Sequence, residues 1–232
     1  MRRVIFLLVI GGLGLAALLG LGGWQLQRKA WKEGILATIE ARIAAEPAAG
    51  LPAALDPEAD KYTPVRLTGQ IGEEELHVLI SFKEDGAGYR VISPFTLEDG
   101  RRILLDRGFI PAAAKDAARR AGPATVEANL HWPDETDSYT PAPDVDGNIW
   151  YARDAARMAA ELGTEPVMAV LRSAPQWQDA AVPAGQGAPR PVPVSTAAIP
   201  NDHLQYAITW FSLAFIWAAM TLYFLRRSRT QS

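Results

Sequence analysis

Two long apolar runs stand at opposite ends of the chain, and the hydrophobic pattern between them changes period several times. Val4 to Gly23 and Leu204 to Leu225 carry no charge. At about 20 and 22 residues, both are long enough to cross a hydrocarbon core of about 30 Å as helices. After the first run, "RKAWKEGILATIEARIAAEP" places Trp31, Ile35, Ile39 and Ile43 at helical spacing, which predicts a short amphipathic juxtamembrane helix ended by Pro47. "AEPAAGLPAALDPEAD" reads as a Pro- and Ala-rich linker.

The middle then switches to short runs rich in β-branched and aromatic residues. "YTPVRLTGQI", "ELHVLISF", "GYRVISPFTL" and "RRILLDRGFIP" predict strands, with hairpin turns at "EDGAG" and "EDG". "ATVEANLHW" and "EPVMAVLRS" are further strands, and "ARDAARMAAELG" between them is a helix closed by Gly163. "DSYTPAPDVDGN" and residues 180–200 read as loops. The element order gives an α+β fold: two antiparallel transmembrane helices, N- and C-terminal, flanking an extramembrane antiparallel β-sheet or small barrel with added helices.

Charge orients this arrangement. Arg226, Arg227 and Arg229 close the second run and mark its cytoplasmic side. Arg2 and Arg3 precede the first run, while Arg28, Lys29 and Lys32 compete from its far end. If both runs cross, residues 1–3 and 226–232 are cytoplasmic, 4–24 and 204–225 span, and 25–203 form one outer domain, periplasmic in a bacterial inner membrane. A cleaved signal peptide is the alternative for the first run, but it is long for that class and "LGLGGWQLQRKAW" lacks a clean small-x-small site. Between Glu33 and Asp202 lie all 26 acidic and 15 basic residues, a net of −11. Such a domain repels nucleic acid.

The chain has no cysteine, which excludes thiolate metal sites, redox pairs and C-x-x-C-H haem attachment. No nucleophile elbow, phosphate loop, zinc-protease or dinucleotide motif is present, so no enzyme is expected. Glu73 to Glu75 read as a solvated run, and Asp106 with Arg107 as a structural pair inside an apolar strand. His77 and His131 read as ordinary strand-face histidines.

His203, one of three histidines, opens the second run. On a 3.6-residue repeat it shares a face with Tyr206 or Ala207, Trp210, Leu213 or Ala214, and Trp217. Antiparallel spans would bring Trp24, Gln25, Arg28 and Lys29 beside it. Gly12, Ala16 and Gly20 recur at every fourth residue, a spacing that lets helices approach. An imidazole, flat aromatic surfaces and two cations at a lipid–water boundary suit a haem: nitrogen on iron, aromatics on the porphyrin, cations on the propionates. An aromatic belt with snorkelling basic residues has the same composition.

The chain resembles the Surfeit locus protein 1 family nearly end to end, through "GWQLQRKAWK", "YTPVRLTGQ", "GYRVISPF", "LLDRGFIP", "NIWYARDAARMA" and above all "NDHLQYAITWF". Members of that family are membrane assembly factors for cytochrome c oxidase, thought to bind haem A and help deliver it to oxidase subunit I. The resemblance implies a non-covalent haem A with His203 as the ligand of its iron; helical spacing and the antiparallel spans put Trp24, Gln25, Arg28, Lys29, Tyr206 and Trp210 around it. The resemblance also implies oxidase subunit I, haem A synthase and membrane lipid as partners. A scaffold that binds oxidase proteins through its acidic domain without holding haem is the competing expectation.

Overall fold

The computed structural model describes residues 2–178, 187–197 and 199–230, so part of the loop expected over 180–200 lies outside the described residues. The chain divides into two compact units, Met1–Ile39 with Thr196–Ser232, and Glu40–Ser195.

The first unit is a helix pair. Helix α1 runs unbroken over Arg2–Ala44, and the last helix covers His203–Thr230. The amphipathic segment after the first apolar run is therefore a continuation of that helix. No proline interrupts residues 4–44, and the Leu, Gln, Arg, Lys and Ala of "WQLQRKAWK" favour helix. Both helices contain stretches long and apolar enough to cross a membrane, within Val4–Ala44 and His203–Ser228.

The second unit is a closed barrel. Its strands are β1 (Ala48–Ala49), β2 (Pro64–Ile71), β3 (Leu76–Phe82), β4 (Gly86–Leu97), β5 (Arg102–Pro111), β6 (Gly122–His131), β7 (Glu165–Leu171) and β8 (Gln176–Trp177). Helix α2 (Ala155–Leu162) precedes β7, and the helix over His203–Thr230 is α3. Neighbours run β2-β4-β5-β7-β6, and β6 pairs back onto β2 along its whole length, from Pro64↔Asn129 to Ile71↔Gly122. β6 thus returns beside β2 after the β2-β4-β5 run, a Greek key closed into a five-stranded barrel. Short β1 on β2, and β7 on β5, are parallel; the other ladders are antiparallel as expected.

Alternation builds the interior. On β2, Val65, Leu67 and Ile71 are buried while Arg66 is exposed, and Phe95, Leu105 and Val126 meet them inside. β5 and β7 are covered on both sides, because α2 lays Met158 and Ala159 over the outward-facing Leu104, Met168 and Val170. This double burial explains the nearly continuous apolar reading of these two strands. Asp154 caps α2 by accepting from Arg157 N at 3.1 Å, and Gly163, at φ 61°, closes it.

The barrel's buried charges depart from expectation. Asp106 and Arg107 do not pair, because consecutive strand residues point to opposite faces. Asp106 is buried against Arg90 and against Arg153, 3.1 Å away, and its Oδ1 accepts from Gly108 N at 3.1 Å. Arg107 donates instead to the Arg120 carbonyl at 2.7 Å and to Ser93 Oγ at 3.4 Å. Glu75 is not a solvated residue either. Arg119 Nε donates to both its oxygens at 2.8 Å, and His77 Nε2 lies 2.9 Å from Oε1. Burial alone would raise this carboxyl, but bonds from His77 and Arg119 override it and hold the group at about 2.

Candidate functional site at the helix pair

Small residues decide where α1 and α3 touch. A Cβ added at Gly14 would lie 2.5 Å from the Trp217 ring, and one at Gly22 would lie 2.7 Å from Phe211. Gly11 leaves the space that Thr221 fills. At Gly11 the partner also bonds: Trp217 Nε1 donates to the Gly11 carbonyl at 3.0 Å. Across this seam Ala207 and Ala214 are buried. The packing stripe is therefore Gly11, Gly14 and Gly22. Gly12 and Gly20 have nothing within 4 Å of an added Cβ among the described residues, and Ala16 is exposed. That corrects the expected Gly12, Ala16 and Gly20 stripe. The first span has small residues in several phases, and the bulky Trp217 and Phe211 select the one that meets α3.

At the end of the same seam, His203 Nδ1 lies 2.8 Å from Gln25 Oε1. Gln25 is only 9% exposed. An amide oxygen can only accept, so Nδ1 carries a proton, and in the neutral ring Nε2 then keeps its lone pair. A hydrogen-bond acceptor on one imidazole nitrogen is the usual way in which the other is readied for a metal. About two turns beyond Gln25 on the same side of α1, Lys32 donates to the Pro200 carbonyl and ties down the chain entering α3.

The other expected site residues divide. Trp210 is half-buried, on the face of α3 that carries His203, Ala207 and Ala214. Tyr206 is 56% exposed and Trp24 53%, both off the seam, so the His203 face continues through Ala207 and Ala214 rather than Tyr206 and Leu213. Arg28 is exposed and stacks on Trp31, 4.0 Å from the ring centroid. Lys29 pairs with Glu33 at 2.6 Å. Trp31, Lys32 and Phe211 were not anticipated. The spacing of Gln25, Lys29 and Lys32, one face of a helix, was the available signal.

Among the described residues no group of three or more His, Asp or Glu is placed to hold a metal. In the barrel, His131 stacks on Tyr62 with centroids 5.5 Å apart, and burial, aided by Arg153 and Lys61, pushes it down to about 4. It is neutral at pH 7, yet its Nδ1 is buried without a hydrogen-bond partner among the described residues.

The profile of the SURF1 family matches residues 13–215, from within α1, through the whole barrel, to the middle of α3. The chain belongs to the SURF1 family. It is 31% identical to a SURF1-like protein of Monosiga brevicollis, over 92% of this chain and 85% of that one. It is 30% identical to human Surfeit locus protein 1 over 84% of this chain and 69% of the relative, and 31% identical to the chicken protein over 85% and 69%. SURF1 proteins are known as cytochrome c oxidase assembly factors. The matched region includes both Gln25 and His203.

Proposed function

We propose that this protein is a non-enzymatic oxidase biogenesis factor of a bacterial inner membrane. It holds haem A at the outer end of its helix pair and assists insertion of the haem into oxidase subunit I, with haem A synthase as the donor. Both termini are cytoplasmic and the barrel is periplasmic. The observation that carries the reading is the 2.8 Å contact of Gln25 with His203 Nδ1, an orientation that leaves Nε2 of the neutral ring open to a metal. A histidine with nothing to do at a lipid boundary needs no buried amide to orient its ring.

The residues around it fit a haem that is held and then released. Trp24 and Tyr206 offer exposed flat surfaces, and Arg28 is available to a propionate from its seat on Trp31. Lys29 reaches a propionate only by exchanging Glu33. One protein nitrogen on iron, with exposed aromatic contacts, suits cargo better than a permanent cofactor.

The test is the absorption spectrum of the full chain purified from cells that make haem A. The wild type should show a Soret band. His203→Ala should lose or strongly shift it, and Gln25→Leu should weaken or shift it with the ligand still present. His77→Ala should keep the wild-type spectrum. An unshifted spectrum in His203→Ala would overturn the ligand assignment and favour a scaffold that holds no haem through this residue.

A further inference from the structure

At the end of the helix pair opposite His203 the seam opens into a groove. Leu7, Ile10 and Gly11 of α1 face Trp217, Met220, Thr221 and Phe224 of α3 around about 150 Å³ of space. The lining is almost wholly carbon, and its polar side-chain atoms already donate within the helix pair: Trp217 Nε1 to the Gly11 carbonyl and Thr221 Oγ1 to the Trp217 carbonyl. A cavity of about this size holds a benzene ring, so the groove has room for about six carbons. It is too narrow for another helix, whose side chains span about 10 Å. Leu7 also lines a second, wider space of about 500 Å³ that reaches Arg2, Phe6 and Ser228. The apolar groove therefore continues into a mouth with an exposed guanidinium. Arg226 and Arg227 end the apolar part of α3 at the same end.

We infer that this groove is a binding site for one anionic phospholipid: an acyl chain lies along Leu7, Ile10, Trp217 and Phe224, and the phosphate sits at Arg2. The apolar lining selects a flexible hydrocarbon chain, and the basic mouth selects a headgroup with surplus negative charge. The inference requires that the two helices lie in lipid and is independent of whether haem binds at His203.

The experiment is native mass spectrometry of the full chain in detergent, titrated with phosphatidylglycerol or with phosphatidylcholine of the same acyl chains. Phosphatidylglycerol should bind as one retained molecule, at least five-fold more tightly than phosphatidylcholine. Arg2→Gln should cost about five-fold, the usual preference for anionic lipid per basic side chain. Ile10→Trp fills the groove and should reduce retention of both lipids, with helix content by circular dichroism unchanged. Equal binding of the two lipids, or full retention in Arg2→Gln, would overturn the inference. So would one-for-one displacement of the lipid by haem A, which would assign the groove to the cargo.

Discussion

His131 should make the barrel acid-sensitive well above the pH range of its carboxylates. Its pKa of about 4 lies below the ordinary 6.5, because its ring is buried on Tyr62 beside Arg153 and Lys61. The unfolded chain therefore takes up a proton first as the pH falls. The stability contributed by the neutral ring is complete above 6.5 and is lost progressively down to about 4. At about 1.4 kcal/mol per unit, moving from pH 7 to 5 costs about 2 kcal/mol, and about 1 to 2 after allowing for the part of the ring that water reaches. Glu75, held at about 2, loses almost nothing over that interval; its contribution fades only below its ordinary 4.5.

The assay is urea unfolding of the full chain in detergent at pH 7, 6 and 5, followed by tryptophan fluorescence. With a slope near 2 kcal/mol per molar urea, the midpoint should fall by about 0.5 to 1 M between pH 7 and 5. His131→Phe keeps a ring on Tyr62 and removes both the proton site and the orphaned Nδ1. Replacing an unsatisfied buried group by an apolar one is nearly neutral or stabilising. The variant should match or exceed the wild type at pH 7 and be nearly flat to pH 5. An equal fall in both proteins would refute the assignment of this acid sensitivity to His131.

Two further predictions concern the helix pair. Gly14→Leu and Gly22→Leu force side chains into Trp217 and Phe211, and should lower haem retention while the barrel still unfolds at the wild-type urea midpoint; Gly12→Leu and Gly20→Leu, which meet open space, should leave both unchanged. Equal effects from the two pairs in a retention assay would show that the seam is not where Gly14 and Gly22 put it. A reporter fused after Ser232 should signal cytoplasm and one inserted between residues 182 and 194 periplasm, as Arg226, Arg227 and Arg229 require; the reverse pattern would overturn the proposed orientation.

Much of the fold was legible because its signals are local. Alternation over "PVRLTGQI" and the helix stop at Gly163 do not depend on distant partners. What escaped was set by distance in the chain. Glu75 looked solvated among three glutamates, because the partner that buries it, Arg119, lies 44 residues away. Asp106 looked paired with its neighbour, when its partners come from β4 and from the loop before α2. Pairing of β5 with β7 skips a strand, and no short-range pattern encodes that.

The helix pair shows the same division within a single site. That Gln25 and His203 would be near each other follows from two antiparallel spans, because each step up α1 meets a step down α3. That Gln25 would face His203 depends on the rotation of α1 about its axis, which its own sequence leaves open among several small-residue stripes. Trp217 and Phe211 resolve it, because Gly14 and Gly22 empty the space those rings occupy, as Gly11 does for Thr221. Gln25 continues that stripe three residues past Gly22, so the contact that closes the seam also presents the amide to Nδ1. Packing deep in the span and imidazole orientation at its edge are then one structural variable. A change that rotates α1 should alter the ligand even where it touches neither Gln25 nor His203.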